Sequence, residues 1–168
     1  ATVSPELLLF PELSVAENVC LGNYPRTSAG TIDWKTVREK TRDLLDQLDS
    51  PELDVDAKVL TLSVAQRQRV EIAKALGKKA RILIMDEPTA SLVESDVQRL
   101  MSVVRQLRDR GVGIVYVSHR MAEIFALADR VTVIRDGAHV ATCDIGDVDE
   151  DDLVSMMVGR SIESLFPK

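Results

Sequence analysis

The stretch Ile82-Leu83-Ile84-Met85-Asp86-Glu87-Pro88-Thr89 restricts the fold more than any other part of the chain. Its four apolar residues form a short, branched run that suits a strand buried on both faces. Pro88 cannot continue a ladder, so the strand is expected to end near Glu87. Asp86 and Glu87 then stand at the carboxyl end of an interior strand, where open α/β sheets place their ligands. Two carboxylates there are costly to keep unless a cation or a reactant meets them. In nucleotide hydrolases the first acid of such a pair holds Mg²⁺ beside the phosphates, and a neighbouring Glu polarises the attacking water. The plain alternative is a strand followed by an acidic loop.

The 168 residues suit one domain or a large piece of one, and a hydrophobic share of 45% is enough for a sizeable core. The net charge is −6, from 21 basic and 27 acidic side chains, which argues against a general nucleic-acid binder. No apolar run approaches ~18 residues, so no membrane span is expected, and no signal peptide opens the sequence. Cys20 and Cys143 form no C-x-x-C pair, which points to a reducing compartment. The sequence begins with Ala1 and has its first methionine at Met85, so the natural start is expected to be absent. A phosphate loop, G-x-x-x-x-G-K-[ST], would be the natural companion of Asp86. The one Gly-Lys pair, Gly77-Lys78, has Ile72 where the first glycine belongs and Lys79 where Ser or Thr belongs.

In chain order, residues 1–12 read as an extended, proline-punctuated loop. Ser14-Val15-Ala16-Glu17 is a capping box that predicts a short helix over 15–21. Asp33 can cap a helix over 34–49, with Trp34, Val37, Leu44, Leu45 and Leu48 as its apolar stripe and Pro51 closing it. Ser63 can cap a helix over 64–77 ended by Gly77, and the first amides of such a helix form an anion site. The plain alternative is an ordinary capped amphipathic helix with Arg67, Arg69 and Lys74 on a wet face. After the central strand at 81–86 come a helix over 94–110, a second buried strand at 114–117 ending in Ser118-His119, and a short helix at 120–127. A third strand at 131–134 turns through Asp136-Gly137 into an antiparallel return from His139 to Cys143. This alternation predicts a largely parallel sheet. His139 reads as a plain strand residue, whereas His119 ends a strand next to that of Asp86 and can reach the same crevice. The acidic tail precedes a short helix reaching Met157, with Asp149 near its N-terminus.

Taken in order, Leu62-Ser63-x-x-Gln66, the run ending in Asp86-Glu87-Pro88 and the strand ending in Ser118-His119 resemble the ATP-binding cassette of ABC transporters. The match is narrower for the first cassette of bacterial simple-sugar importers of the ribose, galactose and xylose type. Three stretches carry it: Phe10 to Asn18, Val70 to Leu76, and Met157 to Arg160 followed by Phe166-Pro167. The resemblance covers nearly the whole chain. It implies an α/β fold: the mainly parallel sheet of a P-loop NTPase core, a helical subdomain and a C-terminal β-hairpin, with the N-terminal part of the fold absent. It implies ATP and Mg²⁺ as cofactors, with Asp86 serving the metal, Glu87 as general base and His119 on the γ-phosphate. Ser63, Val64, Ala65 and Gln66 would face the phosphate loop of a second ATP-binding cassette. Leu8, Leu9, Phe10 and Glu12 would dock on a transmembrane permease, and a sugar-binding protein would act indirectly.

The implied organisation is a docking loop, helical subdomain and signature helix over 1–80, the end of the ATPase core over 81–146, and a helix and linker over 147–168. The implied location is peripheral, on the cytoplasmic face of the bacterial inner membrane. Three positions depart from the family pattern. Pro5 stands in place of the usual glutamine, Val64 and Ala65 in place of two glycines, and Val93 in place of an interface aspartate. Two other readings stay open: a soluble ABC ATPase of translation or DNA repair, and a non-catalytic cassette that supplies only an interface.

Overall fold

The structure, a computed structural model, describes residues 1–3 and 8–159, and the expectations that fall on Pro5, Phe166 and Pro167 lie outside them. The chain divides into two compact units, Ala1–Val117 and Ser118–Lys168. In the first, strands β1 (Thr2–Val3), β2 (Ile82–Asp86) and β3 (Gly113–Val117) form a parallel sheet in that order. The register aligns Ile84 with both Thr2 and Val115, and Asp86 with Val117. Helices α1 (Val15–Cys20), α2 (Trp34–Asp46) and α3 (Val64–Gly77) pack on one another, and α4 (Glu94–Asp109) packs on β3. Helix α1 begins on the expected capping box, with Ser14 Oγ accepting from the Glu17 amide and the Glu17 carboxylate accepting from the Ser14 amide. Val15, Val37, Leu45, Leu48, Val55, Val59, Val70 and Ile72 form the core among these helices.

Four details differ from the sequence reading. Thr2–Val3 is an edge strand rather than loop, because the last residues of β2 offer it an unpaired ladder. Strand β2 is buried on one face only, and β3 is half-buried on that same face. Leu83 and Met85 are fully buried, whereas Ile82 is 57% and Val115 50% exposed, and Ile84 and Val117 share that open face. An apolar run reads alike whether one face or both are covered. Helix α3 ends at Gly77 as expected, but the left-handed residue that closes it is Lys79, at φ 57°. Gly77 is there for packing, since a Cβ would meet Leu44 Cδ1 at 3.3 Å. Helix α2 likewise closes at a left-handed Asp49, φ 51°, before Pro51 is reached.

In the second unit, α5 (Met121–Leu127) precedes a hairpin of β4 (Arg130–Arg135) and β5 (Ala138–Asp144). Asp136 and Gly137, at φ 53° and 75°, make its two-residue turn. The strand expected as the third of the parallel sheet is β4, and its ladder partner is β5 in a separate two-stranded sheet. Helix α6 (Glu150–Val158) starts on a capping box of Asp149 and Asp152, and its end is held by Arg135, whose Nη1 donates to the Met156 carbonyl at 2.7 Å.

One-sided burial of β2 has a measurable consequence. Met85→Ala is expected to destabilise the protein by about 2–5 kcal/mol, as buried truncations do. Ile84→Thr, one residue away on the open face, is expected to change stability by no more than about 1 kcal/mol. Urea unfolding of both variants checks the contrast, and equal losses would mean that both faces are covered.

Candidate functional site

The parallel register puts Ile82, Ile84 and Asp86 on one face of β2, so the Asp86 carboxylate stands exposed at the carboxyl end of the open face. Glu87 follows in the left-handed region at φ 41°, its amide donating to the Val117 carbonyl at 2.9 Å. The chain then turns, with the Ala90 amide bonded to the Glu87 carbonyl at 3.2 Å and the Leu92 amide to that of Thr89 at 3.1 Å. Pro88 and Thr89 are buried, so the loop after the acids is packed down. Val93, at the cap of α4, supplies no side-chain hydrogen bond to the helix.

Ser63 caps α3 as expected. Its Oγ accepts from the Gln66 amide at 3.3 Å while Gln66 Oε1 accepts from the Ser63 amide at 2.9 Å. The hydroxyl proton of Ser63 is left to donate outward. Helix geometry gives the Val64 and Ala65 amides no acceptor within α3. Val64 is exposed and Ala65 buried, so the valine is the side chain that crowds an approaching anion.

In the stretch expected to dock, Leu8 is 68% and Phe10 54% exposed, Leu9 is half-buried and Glu12 pairs with Lys58 at 3.4 Å. Its backbone is clamped from beneath. Asn18, fully buried, accepts from the Phe10 amide at 2.8 Å and donates to the Phe10 and Ser14 carbonyls at 3.0 Å. Glu71 Oε1 accepts from the Leu8 amide at 2.8 Å, and Lys74 Nζ donates to the Leu8 carbonyl at 2.7 Å. Burial pushes the Glu71 carboxyl above its ordinary range, against the Leu8 amide and Lys74, which pull it down. Burial lowers Lys74, with Lys78 adding to the effect. The expected wet face of α3 is therefore partly interior. Arg69 is buried and pairs with Glu52 at 2.9 Å, because α3 is packed by α1 and α2 on neighbouring sides.

His119 lies in the second unit, two residues past the end of β3 in the chain. The residues on either side of it are tied to one buried carboxylate. Ser118 Oγ donates to Glu123 Oε2 at 3.2 Å and Arg120 Nη1 pairs with Glu123 Oε1 at 2.8 Å. The Arg120 amide also donates to Ser118 Oγ at 3.0 Å. Asn18, Glu71 and Glu123 were given no role in the sequence reading, and Lys74 was placed on a wet face. The spacing of Glu71 and Lys74 on one helix face was the available signal, but their partners are backbone groups of a distant loop.

The ABC transporter family profile matches residues 1–90. The chain belongs to the ABC transporter family. It is 49% identical over all 168 residues to a ribose import ATP-binding protein of Streptomyces coelicolor, of which it spans 33%. Ribose import ATP-binding proteins of Chromobacterium violaceum and Rubrobacter xylanophilus are also 49% identical, with 33% and 34% of their lengths spanned. The chain thus spans about a third of the length of the curated relatives it matches. Among solved structures, cbiO1 of Clostridium perfringens, part of the ABC transporter complex cbiONQ, is similar at TM-score 0.74 and 25% identity, over 92% of this chain and 60% of that one. An ABC transporter in an inward-facing conformation is similar at TM-score 0.78 and 18% identity, over 94% and 63% of the two chains, a likeness of fold alone. The α/β fold expected of an ABC cassette holds.

A raised Glu71 binds its proton at a pH where the unfolded chain has released it. Its stabilising share is therefore complete below the ordinary glutamate range and is lost as pH rises through the raised value. Glu71→Gln cannot ionise and keeps an acceptor for the Leu8 amide. Its melting temperature relative to the parent is expected to climb over the pH range above the ordinary glutamate value. A difference that stays flat across that range in a thermal-melt series would contradict a buried, titrating Glu71.

Proposed function

We propose that the chain is the ATP-binding part of a bacterial importer subunit that couples ATP hydrolysis to the uptake of a simple sugar. The observation that carries this reading is the pair at the end of β2, with Asp86 on the open face and Glu87 fixed beside β3, in a chain so similar to ribose import ATP-binding proteins. The names of those relatives favour ribose as the sugar. Residues 1–80 are read as the docking and signature part, 81–146 as the end of the ATPase core, and 147–168 as a helix and linker.

Asp86 fits a Mg²⁺ site, since this ion takes one or two carboxylates and completes its shell with water and phosphate oxygens. When bound there, the ion would neutralise the charge that develops on the phosphates. Glu87 accepts the proton of the attacking water on its carboxylate as that water adds to the γ-phosphorus and the bond from that phosphorus to the departing ADP oxygen breaks. His119 donates a ring N–H to a γ-phosphate oxygen, and the Glu123 ties on Ser118 and Arg120 hold its turn in shape. Ser63, the Val64 and Ala65 amides and Gln66 receive the phosphates bound by a second ATP-binding cassette. Leu8, Leu9, Phe10 and Glu12 offer an apolar knob with an acidic edge to a permease, which works with a sugar-binding protein. No helix of the described residues is long and apolar enough to cross a membrane. Attachment through the permease, on the cytoplasmic face of the inner membrane, supplies the location.

Glu87→Gln in the full-length subunit is expected to keep ATP binding and lose about 10²–10⁴-fold in turnover, the usual share of a general base. Hydrolysis within a few-fold of the parent would remove Glu87 from that role. Val64 and Ala65 weaken only the site that Ser63 faces, so the two sites of a tandem subunit are expected to differ, one turning over and one mostly holding nucleotide. Single-turnover kinetics with two equal phases would contradict this.

A further inference from the structure

We propose that Gln68, on the helix that carries Ser63, positions Glu87 and so links the two nucleotide sites. The inference rests on the role given to Glu87 above. Glu87 sits at φ 41°, a region that side chains other than glycine enter rarely and keep only when their surroundings hold them. Three hydrogen bonds hold this segment, two from backbone amides and one from a side chain. The Glu87 amide is tied to β3 through the Val117 carbonyl at 2.9 Å, and the Glu87 carbonyl is tied into its own turn by the Ala90 amide at 3.2 Å. The next peptide is tied to α3, with Gln68 Nε2 donating to the Pro88 carbonyl at 2.7 Å.

The last bond differs in kind from the others. It comes from a side chain, and that side chain is buried. Without the Gln68 donor, a buried carbonyl beside the general base has lost its partner, and the loop gains by moving that carbonyl towards water. Pro88 has a fixed φ and no amide, so a shift of its carbonyl passes into the backbone of Glu87. The carboxylate then leaves the line on which it meets the attacking water, a misplacement to which rate is steeply sensitive.

Gln68 lies five positions after Ser63 on one continuous helix, roughly 7 Å along its axis. A helix of 14 residues moves as a body on this scale. When phosphate meets Ser63 and the first amides of α3, the same displacement is delivered to the Pro88 carbonyl. Binding at the site that Ser63 faces thereby sets the base of the site that Asp86 serves. Gln68 touches neither nucleotide and acts through Glu87, so it is a positioning residue.

The test is a double-mutant cycle in the full-length subunit, read as single-turnover ATP hydrolysis and equilibrium ATP binding. Gln68→Met keeps the length and apolar volume of the side chain and removes the donor. Alone it is expected to slow hydrolysis by about 10-fold or more, with ATP affinity changed less than about 2-fold. In the Glu87→Gln background it is expected to change the residual rate less than about 2-fold, because the group it positions is gone. Gln68→Leu, which is apolar and also lacks the donor, gives the same reading if Gln68→Met does not fold. A parental rate in Gln68→Met while Glu87→Gln is inactive overturns the inference and leaves the proposed function standing. So does an equal fractional loss in both backgrounds, which marks a general loss of structure. Full turnover in Glu87→Gln alone sinks both.

Discussion

About one turn of α3 buries three polar side chains, and the first unit is arranged to satisfy them. Gln68, Arg69 and Glu71 are each less than a tenth exposed. Their partners are the Pro88 carbonyl, the Glu52 carboxylate and the Leu8 amide. A hydrogen bond of this kind adds only about 1 kcal/mol net, but a buried partner left unmade costs about 1–3 kcal/mol. The set therefore does more to fix where α3 lies than to raise total stability. Apolar packing of Val70, Ile72 and Ala73 would tolerate a small slide or rotation of the helix. Three directional bonds to three different segments would not.

The sheet imposes a second constraint. Its buried face, with Leu83 and Met85, anchors the unit, while Ile82, Ile84, Val115 and Val117 line a face left open. Asp86 ends that open face because side chains alternate along a strand, and the parity that exposes Ile84 also exposes Asp86. Whatever covers the apolar residues must also take water away from the carboxylate beside them. Charge interactions strengthen several-fold as the surroundings become less polar. An acid at the rim of an apolar face is thus a stronger cation ligand once that face is covered than while it is open.

Local chemistry was legible in the sequence. The capping boxes at Ser14 and Ser63, the turn at Asp136-Gly137 and the strand end at Pro88 each report through side chains acting within a few residues, and the elements fall within three residues of their expected limits. Asp86, Glu87 and His119 were legible for the same reason, as charged or basic groups at strand ends. The one-sided burial of β2 was not, because burial belongs to the partner surface. Gly77 marks the end of α3 as expected, but it is not the left-handed cap, which is Lys79, and only the approach of Leu44 shows that the glycine serves packing. Arg69 and Lys74 read as solvated because charge usually is, and their partners, the Glu52 carboxylate and the Leu8 carbonyl, lie far from α3 in the sequence.

That last point bears on how the two ends of the unit communicate. Gln68 holds the loop after Glu87, while Glu71 and Lys74, one and two turns further along the same helix, hold the stretch that exposes Leu8 and Phe10. Coupling across a protein needs an element whose placement both sites bias. Helix α3 meets that requirement, because both of its grips are on backbone. Side chains at residues 8–10 are then free to vary with the surface they meet without loosening the grip beneath them. Substitutions on α3 cannot be so local. A change at Glu71 removes the acceptor of the Leu8 amide, and it does so on the helix that also holds the carbonyl next to Glu87.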